Sequence, residues 1–198
     1  MRIDARLTFI AKAFFAAVIG LAVGLWSAEM TVRSFRGFGA VAIGPWKASV
    51  EAGSPDTDPY SRAFLERSGE IPLGLAEGLQ FVANVDSDGA RLDARCTYRL
   101  GAKAPPARRW TLSLVNRRGF PVANPAERYG FRSTEIVREP GGAFAVLVSP
   151  HVQPGNWLPV GLPERFALVL RLYDSPVSAT AATIEPASMP RIVRERCG

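Results

Sequence analysis

Chemistry in this chain would have to come from its carboxylates, because imidazole and thiol are scarce. There is one histidine, His151, and there are two cysteines. Asp86, Asp88 and Asp93 lie close together, and Asp174 is a fourth acid next to an apolar run. Alternate acids in a loop can hold Ca²⁺, or with a histidine can serve a hydrolase. The rest of a Ca²⁺ loop is missing, however, and the text Asp86-Ser87-Asp88-Gly89 is explained by polar turn chemistry. A Ser-His-Asp arrangement through His151 has no distinguishable nucleophile. No nucleophile elbow, phosphate-binding glycine loop or paired-histidine zinc motif occurs. The sequence therefore assigns no catalytic residue, no metal ligand and no cofactor, and a carboxylate- or metal-dependent hydrolase stays as the alternative reading.

Two further pairs could do something other than catalysis. Asn156 and Trp157 stand in Pro154-Gly155-Asn156-Trp157-Leu158-Pro159, a loop before an apolar strand. An indole there could stack on a ligand, as in sugar-binding sandwiches, or could plug the end of the fold while Asn156 bonds local backbone. Asn124-Pro125 and Arg128-Tyr129 form a second loop of the same kind. Cys96 and Cys197 are too far apart in sequence for a metal motif and are candidates for a disulfide. Closing so long a loop stabilises by ~3–5 kcal/mol in the chain-entropy account.

The compartment of those cysteines depends on the leading segment. Residues 9–28 are apolar apart from Lys12 and Ser27. As a helix they span ~30 Å, about one hydrocarbon core. Lys12 can snorkel to the headgroups, and Trp26 suits the far interface. A cleaved signal sequence wants small residues before the cut, whereas Trp26-Ser27-Ala28 offers a bulky indole. A buried core helix is the other alternative, though a helix apolar on every side suits lipid better. Arg2, Arg6 and Lys12 precede the span, and Arg33 and Arg36 follow it. That bias puts residues 1–8 in the cytoplasm and the body in the periplasm, on a single-pass inner-membrane anchor. Gly20 and Gly24 form a small-xxx-small pair that could bring two such helices together.

The net charge of +6 divides evenly between residues 1–36 and the remainder. The body is thus only mildly basic, with mixed signs and no basic run among aromatics, which argues against nucleic acid. The expected partners are the lipid bilayer through the helix and an envelope glycan, lipid or protein through the body.

Residues 29–44 read as a connector and residues 45–198 as one domain. A first strand is expected at 46–50. Asp58 and Pro59 start a short helix, with Tyr60, Ala63 and Phe64 as its apolar stripe and Gly69 as its stop. Strands are expected at 80–85, 94–100, 110–115, 131–138, 144–148 and 166–173, with a tail strand at 191–196 after an irregular stretch over 175–190. Phe166, Leu168, Leu170 and Leu172 share one face of residues 166–173 and Ala167 and Val169 oppose them, so the run reads as a central strand. The pattern predicts an antiparallel β-sandwich with one short helix, behind a single transmembrane helix.

Several stretches resemble a bacterial family known only as a conserved domain of unknown function. They are Gly53-Ser-Pro-Asp-Thr-Asp-Pro-Tyr60, Gly69-Glu-Ile-Pro-Leu-Gly74, Leu92-Asp-Ala-Arg-Cys-Thr-Tyr98, Arg109-Trp-Thr-Leu-Ser-Leu114, Gly155-Asn-Trp-Leu-Pro159 and Phe166-Ala-Leu-Val-Leu-Arg-Leu-Tyr173. The likeness runs over residues 45–195. It implies a jelly-roll-like β-sandwich, often membrane-anchored, which in longer proteins forms the C-terminal half beside another domain of unknown function. Some of those longer relatives have been proposed as hydrolases. The present chain looks like the short anchored form, and the resemblance transfers no catalytic residue to it.

Overall fold

The computed structural model describes residues 2–34, 40–50, 52–68, 71–74, 76–102, 105, 107–161, 165–175 and 184–198. Helix α1, Arg2–Ser34, continues past the apolar run into the stretch expected as connector. Its segment Leu7–Val32 is long and apolar enough to cross a bilayer, a property that signal sequences share. Phe9, Phe14, Phe15, Leu21 and Leu25 are all exposed. The body therefore covers none of them, unlike a soluble core helix. Two of its hydroxyls bond within the helix: Ser27 Oγ donates to the Gly24 carbonyl at 2.9 Å and Thr31 Oγ1 to that of Ser27 at 2.8 Å.

After α1 come β1 (Ala40–Ile43), β2 (Trp46–Ser49), α2 (Pro59–Ser68), β3 (Gly78–Ala83), β4 (Cys96–Ala102) and β5 (Arg109–Asn116). They are followed by β6 (Gly130–Arg132), β7 (Phe144–Ser149), β8 (Asn156–Pro159), β9 (Phe166–Tyr173) and β10 (Arg191–Cys197). Strand β1 lies within the expected connector. It pairs with β2 across a two-residue turn, where Gly44 at φ 56° takes a conformation that glycine adopts without strain. Asp58 caps α2 as its position predicts, Oδ1 accepting the backbone N–H groups of Tyr60 and Ser61. Gly69, expected to stop α2, lies outside the described residues, as do residues 176–183 of the expected irregular stretch.

Two sheets result. One has six strands in the order β1-β2-β3-β9-β5-β6, and the other has four in the order β10-β4-β7-β8. Strand β9 is central, hydrogen-bonded to β3 on one side and β5 on the other. Phe81, Leu112, Leu168 and Leu170 from the larger sheet share one buried cluster with Tyr98, Leu100, Val146 and Leu158 from the smaller. Each such side chain contributes about 1.5–3 kcal/mol when fully withdrawn from water. Aromatic contacts bridge the sheets: Trp110 stacks on Phe144 at 4.8 Å, and Tyr98 meets Phe166 edge-on at 5.9 Å.

Further expectations change. The strand expected at 131–138 is limited to Gly130–Arg132, because the Glu135 carboxylate accepts the Arg132 N–H and turns the chain there. The smaller sheet is mixed, since β8 runs parallel to β7. Trp157, expected in a loop, is therefore in a strand.

Strand β10 is an edge that would fray without fastening. Cys96 and Cys197, opposite each other in the β4–β10 register, are joined by a disulfide. At the other end, buried Asp86 accepts from Arg194 Nη2 at 2.8 Å, and Ser87 exchanges hydrogen bonds with Ile192. Reduction, or the pair Cys96→Ser and Cys197→Ser, should lower stability by ~3–5 kcal/mol. Hydrogen exchange should locate the loosening in β10, while the amides of β9 stay protected.

Candidate functional site

The residues singled out by type are dispersed. Asp86 is nearly solvent-free, and its Oδ1 accepts the N–H groups of Asp88 and Ala90 while Oδ2 holds Arg194. It is the buried post of a turn, its charge compensated on the spot. Asp88 is exposed in the same turn. Asp93 pairs with Arg95, whose hydrogen bonds pull its carboxyl down to about 2. A depressed carboxyl contributes stability above its unfolded value and loses it only as pH falls toward 2. Asp174 makes an exposed pair with Arg108 at 3.3 Å, and His151 is exposed on the β7–β8 connection. No three of His, Cys, Asp or Glu converge among the described residues.

Asn156 is buried and fully engaged. Its Nδ2 donates to the carbonyls of Val137 at 2.8 Å and Ala145 at 2.9 Å, and its Oδ1 accepts the Val137 N–H at 2.8 Å. Trp157 is half-buried, its Nε1 donating to the Ser149 carbonyl at 3.0 Å. Arg128 Nη1 reaches the Trp157 carbonyl and stacks over Phe131, so the loop around Asn124 closes on the same corner. In this arrangement the polar atoms of Asn156 and Trp157 are spent on backbone.

A concave surface lies elsewhere, on the outward face of the six-stranded sheet. The pleat turns Gln80 and Val82 of β3 and Ala167, Val169 and Arg171 of β9 away from the core. In register, Gln80 stands opposite Arg171 and Val82 opposite Val169. Helix α2 walls one side through Phe64, and the 116–120 hairpin walls the other through Phe120. The groove between them has a volume of about 340 Å³. Beneath α2 a tighter cavity of about 110 Å³ opens from the same surface, bounded by Val50, Leu65, Leu73 and Leu79. The two hollows share Phe64, Gln80 and Val82. The inner cavity also contains Ser61, whose buried Oγ has no hydrogen-bond partner among the described residues. Gly78 edges this cavity, and a Cβ there would fall 1.9 Å from the Leu172 carbonyl oxygen, so β3 and β9 need glycine to approach so closely. The pattern that marks the groove is the apolar text on both faces of β9, which sequence reading assigns to burial alone.

A family model described as a protein of unknown function (DUF1214) matches residues 77–177. The chain belongs to that family. The matched span holds the groove floor and Asn156–Trp157 but leaves out α1, α2, β1, β2 and β10. Among solved structures, the VPA0106 protein from Vibrio parahaemolyticus is similar, with a TM-score of 0.58 and 17% identity over 91% of this chain. An uncharacterized protein from Burkholderia cenocepacia has a TM-score of 0.40 and 19% identity over 74% of this chain. At such identity the first likeness speaks to fold alone, and the second is too distant to support an argument. This chain spans 44% and 45% of the lengths of those two chains. No curated protein matches it.

Two alanine substitutions should move stability in opposite directions. Asn156→Ala strands three backbone groups and should cost about 2–4 kcal/mol in denaturant unfolding. Ser61→Ala removes a buried hydroxyl with no hydrogen-bond partner among the described residues, in a helix that favours alanine, and should raise stability by up to about 1 kcal/mol.

Proposed function

We propose that the chain is a single-pass inner-membrane protein whose body, a jelly-roll-like β-sandwich in the periplasm, acts as a binding or envelope-assembly module. The reading draws on the exposed apolar surface of α1, the positive bias ahead of it, and a disulfide suited to an oxidising compartment. One observation carries the binding part. The groove-walling helix α2 is also tied to the distal end of α1, where Arg67 forms a two-pronged ion pair with Glu29. Exposed pairs of this kind stabilise by at most about 1 kcal/mol, while the two parallel prongs favour one relative geometry. The hollow on the sheet is therefore held beside the point where the chain leaves its apolar segment. Its occupant would be an envelope glycan, a lipid or another envelope protein.

Three measurements on the full chain test this. Alkaline phosphatase fused after Gly198 should be active and membrane-bound, and the intact mass should retain α1. Native mass spectrometry of the detergent-released protein should show a retained small molecule or partner. A soluble chain lacking α1, or a bare chain from every preparation, overturns the reading.

A further inference from the structure

The groove is chemically lopsided in a way that specifies an occupant. Successive rows across the outward sheet face run Gln80–Arg171–Thr111, then Val82–Val169–Ser113, then Ala167–Val115. A half-buried cation thus stands directly beside an apolar floor, about 7 Å away per two-residue step. Arg171 donates Nε to Gln80 Oε1 at 2.8 Å, and its two terminal nitrogens make no hydrogen bond among the described residues. Arg117 and Arg118 stand at the opposite lip, and no described carboxylate lines the groove. A guanidinium held next to apolar surface, with no counter-charge among the described residues, is completed by an anion that its planar fork can grip. Val82 and Val169 continue from it toward Phe64, and from there the surface enters the tight cavity beneath α2. The cavity runs alongside β3 from Gly78 to Val82, mainly apolar with Lys47 and Ser61 in its lining, so an anion site, an apolar floor and a hollow beside both can take the parts of one molecule.

We propose that this groove binds a single acyl chain with an anionic head, a fatty acid drawn from the adjacent leaflet, its carboxylate on Arg171 and its tail across Val82 and Val169 into the cavity under α2. The inference rests on the binding-module reading and names its ligand class. A glycan would find polar partners at the edges of the groove, in Gln80, Asn84 and Asn116, but only valine and alanine at the middle of the floor. A nucleic acid would meet cations but no stacking surface along that floor.

The test uses the full chain in phosphatidylcholine nanodiscs with a photoreactive fatty acid bearing a diazirine in its tail. Adducts should map by mass spectrometry to α2 and to residues 80–82 and 167–171. Oleate and lysophosphatidylglycerol should compete, while lysophosphatidylcholine should compete roughly tenfold less well, the loss expected for one charge-assisted contact. Arg171→Gln should weaken labelling of the groove by about the same factor, and Arg171→Lys by less, since the charge remains. Both variants should melt with the wild type, because Arg171 lies outside the core cluster.

Labelling confined to α1, equal competition by zwitterionic and anionic amphiphiles, or an Arg171→Gln variant that is folded and labels like wild type would each overturn the proposal. If the groove does not label while native mass spectrometry still finds another adduct, the acyl-chain assignment falls and the binding reading stands. A bare chain in both experiments removes both.

Discussion

A strand with apolar residues on both faces has to be covered twice, and β9, apolar outward at Ala167 and Val169, imposes that condition on the molecule. Its inward row, Phe166, Leu168, Leu170 and Leu172, forms the middle of the core shared with the smaller sheet. Its outward residues Ala167 and Val169 are equally withdrawn from water yet do not belong to that core. They are sheltered by what surrounds them: α2 on one side and the 116–120 hairpin on the other. The groove exists because these two walls cover the sheet incompletely. Stability and the candidate site thus share a cause, the burial of one strand's two surfaces.

The smaller sheet is organised by polar fastening. Asn156 stitches β8 to the Val137 backbone and to β7, Trp157 ties back to Ser149, and Asp86 with Arg194 secures β10. Each replaces hydrogen bonds that a longer or more regular strand would have made with its neighbour. This explains why the most distinctive sequence text, around Gly155-Asn156-Trp157, belongs to a corner of the fold and not to the hollow. Asparagine is irreplaceable there for a backbone reason: one side chain supplies two donated bonds and accepts a third.

Local rules made much of the architecture legible. Alternation in Trp110, Leu112 and Leu114 identified β5, the double-sided run identified β9 as central, and Asp58 followed by Pro59 located the start of α2. The carboxylates were legible as turn formers, and Asp86 is one. Three features were beyond such rules. Parallel neighbours usually need a crossover of a dozen or more residues, so the six-residue return from β7 to β8 had no sequence signal. The end of β6 depends on a Glu135–Arg132 turn that interrupts a run of strand-forming residues. The groove needs Phe64, Phe120 and Arg171 together, and only the register of β3, β9 and β5 brings them there.

The link between β4 and β10 has an implication for biogenesis. Cys96 faces a partner 101 residues further along the chain, so during synthesis or export it spends most of the chain's emergence as an unpaired thiol. Oxidation in the native register cannot happen until nearly every other strand has been delivered to the same compartment. The bond is thus a late event: until residue 197 has been delivered, Cys96 has no second cysteine in this sequence to pair with.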